Sequence, residues 1–165
     1  MKIPIVDEQD NILYYKDASE RDKRKEVTRT TALWLTDQFG NILLAQRAFS
    51  KKVHPGLWGP AVAGSVEEGE TYESNIIKEI KEEIGLVDAK LTLGPKIRRS
   101  GTHEYFGQWF TVVVPHDYPF KKQDEEVEEI KWFSVDELKQ SLKEKPEIFL
   151  PSLEQYLNLF SPNAN

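Results

Sequence analysis

Apolar and polar positions along the chain follow two rhythms, and each assigns a kind of element. Short runs of β-branched and aromatic residues between turn formers mark strands. Residues 3–6 and 12–15 flank the polar stretch Asp7-Glu8-Gln9-Asp10-Asn11 and predict an opening hairpin, followed by a charged connector to residue 26. Residues 27–36 and 42–46 flank Asp37-Gln38-Phe39-Gly40-Asn41 and predict a second hairpin that starts the main sheet. Residues 48–60 hold two prolines, two glycines and adjacent lysines, which predicts a surface loop without an element of its own. Residues 61–66 predict a short buried strand, and further strands are expected near 90–98, 105–114 and 128–133.

The helical rhythm is clearest over residues 71–84, where Ile76, Ile77, Ile80 and Ile84 recur at helical spacing. Thr71 can cap its start and Gly85 can stop it. Ser134 and Glu137 form a capping-box pattern that opens a helix to about 143, and residues 151–159 predict a terminal helix. No internal repeat or low-complexity linker interrupts this order, so residues 1–165 are expected to form one domain.

Composition narrows the chemistry. With no cysteine, a disulfide framework, thiolate metal ligands and a cysteine nucleophile are excluded, leaving oxygen and nitrogen ligands. No apolar run approaches the roughly 20 residues that cross a bilayer, and the first ten residues carry acidic side chains where a signal peptide needs an apolar stretch, so a cytoplasmic protein without membrane partners is expected. A formal net charge of −6 argues against duplex nucleic acid as a partner, while Arg47, Lys51 and Lys52 could still line a small basic pocket for a phosphate group.

At about 100° per residue, Ile76, Ile77, Ile80 and Ile84 are expected on one helix face and Glu79, Glu82 and Glu83 on the neighbouring one. Glutamates at spacings of three and four repel, costing roughly 0.2–0.5 kcal/mol per pair. A solvated acidic face is the ordinary explanation. A hard divalent cation is the functional one, because Mg²⁺ takes oxygen ligands and bridges carboxylates to phosphates.

The longer pattern decides between them. Gly64 is followed after five residues by Glu70, and after seven more by Lys78-Glu79-Ile80-Lys81-Glu82-Glu83-Ile84-Gly85-Leu86. This resembles the Nudix box, G-x5-E-x7-R-E-U-x-E-E-x-G-U with U a bulky aliphatic residue, at every defined position except Lys78, where the family has arginine. Gly64 and Gly69 also have P-loop glycine spacing, but Glu70 stands where a P-loop needs lysine. The resemblance implies an α/β/α sandwich around a mixed sheet and a metal-dependent, MutT-like hydrolase of a small-molecule diphosphate. Mg²⁺ is the implied metal, with Mn²⁺ as an alternative. By the same resemblance Glu79, Glu82 and Glu83 are implied metal ligands, Glu82 or Glu83 doubling as base, with the Ala63 carbonyl completing the set. Glu70 and Lys78 are implied to support the loop and helix start, and Glu125 or Glu126 to supply a further ligand from a late acidic loop. Lysine in place of arginine exchanges a planar fork for a mobile point charge.

Upstream, Leu43-Leu44-Ala45-Gln46-Arg47-Ala48-Phe49-Ser50-Lys51-Lys52 and Pro55-Gly56-Leu57-Trp58 look like the matching segment of isopentenyl-diphosphate isomerases, which share the Nudix fold. The similarity spans roughly residues 3–138 and makes Arg47 and Lys51 candidates for holding a diphosphate. That isomerase activity needs a cysteine before the box glycine and a histidine after it, where this chain has Ala63 and Ser65. Those isomerases also lose box carboxylates that are kept here at Glu79 and Glu82. Hydrolysis is therefore the expectation, with an isomerase and a non-catalytic diphosphate-binding domain as rivals. Trp34, Trp58, Trp109 and Trp132 are expected in the core or a pocket wall, and His54, His103 and His116 have no metal-ligand spacing.

Overall fold

The computed structural model describes residues 1–161. The chain opens on a separate antiparallel pair, β1 (Lys2–Val6) and β2 (Ile12–Asp17). Asp7 nucleates the turn between them by accepting the Gln9 and Asn11 amides, each at 2.9 Å. The elements that follow are β3 (Thr28–Thr36), β4 (Ile42–Arg47), β5 (Trp58–Pro60), β6 (Val62–Ser65), α1 (Tyr72–Ile84), β7 (Thr92–Arg99), β8 (Tyr105–Val113), β9 (Val127–Phe133), α2 (Val135–Glu144) and α3 (Leu153–Phe160).

β3 organises the seven-stranded mixed sheet. It runs parallel to β8 along its whole length, from Thr28 opposite Tyr105 to Thr36 opposite Val113. Its other edge is shared: β6 pairs antiparallel with the first half, Thr30 opposite Ser65, and β4 takes over at Leu35 opposite Leu43. β4 continues the sheet through β9 and β5, and β8 carries β7 on its outer edge.

Alternation along β3 distributes the core between two layers. Leu33 and Leu35 join Ile76, Ile80 and Ile84 of α1 on one face of the sheet. Trp34 points to the other face and meets Leu138 of α2 with Leu153 and Leu157 of α3. The result is the expected α/β/α sandwich. Trp34, Trp58 and Trp109 are core residues, while Trp132 is partly buried and stacks on His116.

Two expectations need correction. The stretch 48–60 is not loop throughout, because Trp58–Pro60 forms β5 against Leu44–Gln46. Ile77 does not share the buried face of α1 but is 54% exposed, whereas Glu83, expected beside that face, is only 8% exposed. Taking Ile76 as origin and about 100° per residue, Ile80 falls at about 40°, Ile84 at about 80°, Ile77 at about 100° and Glu83 at about −20°. Asn75 and Glu79, at about −100° and −60°, lie on the glutamate side. The packed face is thus centred near Glu83, and Ile77 falls off its edge.

The ends of α1 are set locally. The Ser74 amide donates to the Thr71 hydroxyl at 3.0 Å and the Thr71 amide donates to the Ser74 hydroxyl at 2.9 Å, closing a reciprocal cap. Gly85 ends the helix with φ of 68°, a left-handed geometry that glycine adopts without strain. T71A should lower the stability of the folded chain by about 1 kcal/mol, read as a lower urea midpoint at unchanged slope. An unchanged midpoint would show that packing alone fixes this helix start.

Candidate active site

The site forms where α1 crosses β6. Asn75, fully buried, bolts the two together. Its side-chain amide donates to the Ser65 carbonyl and to Glu70, each at 2.9 Å, and its oxygen accepts the Thr31 hydroxyl at 2.5 Å. With each of these groups paired, the amide rigidifies the junction without a desolvation penalty.

Gly64 lets the helix approach. A Cβ there would lie 2.5 Å from Cγ of Glu79 and 2.8 Å from its Cδ, so the first glycine of the motif makes room for the first glutamate of the helix. Ala63 precedes it. The Val66 amide donates to the Arg29 carbonyl at 3.0 Å, and hydrogen-bonded pairs alternate along an antiparallel ladder. Counting back by twos, residues 64 and 62 bond to β3, while the Ala63 N–H and C=O point away from it. The Ala63 amide is turned towards Glu83, whose charge it helps to hold. Its carbonyl, like its amide, does not bond to β3.

Lys78 gathers the loop before the helix. Its ammonium lies 2.5 Å from Glu70, 3.1 Å from Glu67 and 3.6 Å from Glu79. Glu70 also accepts the Glu67 amide at 2.9 Å, so one lysine and one carboxylate fix the turn. Burial opposes the Glu70 charge, but Lys78, the Glu67 amide and Asn75 outweigh it and hold the carboxyl below its usual range. The lysine is raised in turn, because these carboxylates outweigh its own burial.

Beyond α1 the backbone brings in a second acidic segment. The Lys121 amide donates to the Ile84 carbonyl and the Gln123 amide to the Glu83 carbonyl, each at 2.9 Å. The Glu126 carbonyl accepts the Ala48 amide at 3.0 Å, tying this segment to the loop after β4. Glu126 consequently lies within electrostatic range of Glu83, as does Lys51. Lys51 reaches Glu126 at 2.5 Å.

The candidate residues therefore separate. Glu79, Glu126 and the Ala63 amide each bear on Glu83, and Glu82 is on the solvent side of the same helix. Glu125 is exposed. Arg47 turns its Nε onto the Val53 carbonyl of its own loop at 2.9 Å. Glu67 and Asn75 are participants that the motif did not name. Asn75 carried a signal, a lone amide beside a run of isoleucines, whereas nothing in the spacing marked Glu67.

Electrostatics set this cluster apart from a solvated acidic face. Burial pushes the Glu83 carboxyl up to about 8, helped by the charges of Glu79 and Glu126 and opposed by the Ala63 amide and Lys51. Burial also raises Glu79; Lys78 opposes this, and Glu82 and Glu70 add to it. Buried carboxylates that repel one another are oxygen donors that suit a hard cation. Among the described residues, no three acidic or histidine side chains are yet gathered around one point. Glu126 is engaged by Lys51.

Comparison with known proteins shows the family and the fold. Residues 26–153 match the NUDIX domain family. An uncharacterized Nudix hydrolase of Pseudomonas aeruginosa is 29% identical over 161 residues, covering 94% of this chain and 90% of that one. An isopentenyl-diphosphate Delta-isomerase of Salmonella heidelberg is 33% identical over 96 residues, but these cover only 54% of this chain and 50% of the isomerase. A crystal structure from Deinococcus radiodurans has the same fold, with a TM-score of 0.82 at 18% identity, covering 96% of this chain and 98% of that one. With the motif folded into the strand, loop and helix that its chemistry needs, the chain belongs to the Nudix family, as one of its hydrolases.

Proposed function

We propose that the chain is a Mg²⁺-dependent hydrolase that cleaves the pyrophosphate link of a nucleoside diphosphate joined to another group, or of a related organic pyrophosphate. The observation that carries this reading is Glu83, a carboxylate buried beside Glu79 and Glu126 and facing the Ala63 backbone. Glu79, Glu82, Glu83, Glu126 and the Ala63 carbonyl would hold Mg²⁺, or Mn²⁺ in its place. When bound, such an ion polarises phosphate oxygens and lowers the pKa of coordinated water.

The chain's own residues do the rest. Lys78 and Glu70 keep the loop at the helix start rigid, so that Glu79 stays against Gly64. Glu82 or Glu83 would receive the proton of the attacking water, in its ionised form. Arg47 at the end of β4 and Lys51 in the loop after it would hold the diphosphate. Double-bond migration in an isoprenoid diphosphate finds no support, since the methyl group of Ala63 can neither give nor take a proton and Ser65 replaces the isomerase histidine.

With Mg²⁺ and a panel of nucleotide-linked and small organic diphosphates, at least one substrate should be hydrolysed, and isopentenyl diphosphate should yield no dimethylallyl isomer. Rapid isomerisation with solvent deuterium in the product would reverse the assignment. E79Q, E82Q and E83Q should each keep the fold and lose at least about 100-fold in turnover at limiting Mg²⁺. Comparable turnover in all three would remove the metal role.

The raised Glu83 pKa also predicts a stability profile. The folded chain binds this proton more tightly than the unfolded chain, where glutamate titrates near 4.3. Its stabilising contribution is therefore full below about 4.3 and is lost as pH rises through about 8. In metal-free protein E83Q should match wild type near pH 4 and become the more stable form by pH 9, the gap amounting to about 1.4 kcal/mol per unit of pKa shift. Parallel melting curves across that range would mean that Glu83 is solvated.

A further inference from the structure

We propose that Lys51 is a positioning residue: it holds Glu126 while no divalent cation is bound and passes to a substrate phosphate when one is, coupling cation loading to phosphate capture. This rests on the metal site proposed above and adds an order of events to it.

Two backbone segments are fixed against each other. The Glu126 carbonyl accepts the Ala48 amide at 3.0 Å, and the Ala48 carbonyl accepts the Lys51 amide at 3.1 Å. The segments bearing the two side chains are thereby held in register, and what remains free is the side chains themselves. The lysine ammonium sits 2.5 Å from Glu126 Oε2, with side chains 29% and 39% exposed, so the contact is neither sealed nor fully in water. A pair at that depth is weak enough to exchange partners.

Glu126 cannot serve two cations equally. Its charge already bears on Glu83, and so does that of Lys51, which places the ammonium as a stand-in positive charge at the margin of the carboxylate cluster. A divalent ion drawing Glu126 towards Glu83 removes the lysine's partner and repels the ammonium. Lysine is the residue for such a transfer, because a flexible stem carries a point charge with no preferred plane. The nearest anion then available is the phosphate that the same ion holds. Lys52 is exposed and makes no ion pair among the described residues, so it serves as an internal control of equal charge.

The test uses the metal-stripped full chain, with Mn²⁺ binding followed by electron paramagnetic resonance. K51M should bind Mn²⁺ about fivefold more tightly than wild type, since a competitor for Glu126 is gone. K51R and K52M should stay near wild type. In the E126Q background, adding K51M should change Mn²⁺ affinity little. In a metal-free titration with inorganic phosphate read by phosphorus NMR, E126Q should bind more tightly than wild type, and K51M/E126Q should lose that gain. The proposal is overturned if K51M leaves Mn²⁺ affinity unchanged, if K52M gives the same gain, or if the gain persists without Glu126, which would make it a general field effect. Should the wild-type chain bind no Mn²⁺, the metal site itself fails, and the phosphate titration alone then decides whether Glu126 restrains Lys51.

Discussion

A carboxylate in the packed face of α1 is the constraint around which this molecule is arranged. Glu83 occupies the position that a fourth aliphatic residue would take in an ordinary amphipathic helix, on the packed face beside Ile76 and Ile80. Burying a charge there is unfavourable unless it is neutralised by a proton or a cation. The surrounding residues do not neutralise it, for its nearest charged neighbours include two further carboxylates and only one lysine at the margin. The helix keeps an electrostatic penalty at one point, which a bound cation would relieve.

The fold supplies the rigidity that such a penalty requires. β6 is held against β3 by alternate hydrogen bonds, and Asn75 fastens α1 to β6 through three partners on separate segments. Lys78 and Glu70 lock the turn that leads into the helix, and the reciprocal Thr71–Ser74 cap fixes where the helix begins. The last carbonyls of α1 then recruit residues 121–123, which brings Glu126 to the same place from more than forty positions away in the chain. None of these contacts touches a substrate in this account. Together they hold the carboxylates close enough to repel.

Local signals account for what could be read in the sequence. The Thr71 cap, the Gly85 stop and the isoleucine spacing are all contained within α1, so the helix was legible without a partner. The resemblance to the family motif named Glu79, Glu82 and Glu83 and paired Glu70 with Lys78. What stayed hidden depends on distant chain. β5 is three residues long, contains Gly59 and Pro60, and exists because β4 pairs with it and Leu150 packs where a Gly59 side chain would stand. The inward turn of Glu83 follows from where β6 meets the helix, and an apolar-only reading of the wheel put Ile77 on the packed face and Glu83 beside it. The preference for Glu126 over Glu125 and the Lys51 contact are likewise products of tertiary proximity.

Anomalous diffraction from crystals grown with Mn²⁺ tests the central claim most directly. An anomalous peak is expected between β6 and α1, about 2.1 Å from carboxylate oxygens of Glu79 and Glu83, with the Ala63 carbonyl turned to it. Mn²⁺ bound only by solvent-side carboxylates, with Glu83 still protonated and packed against β6 as before, would contradict it.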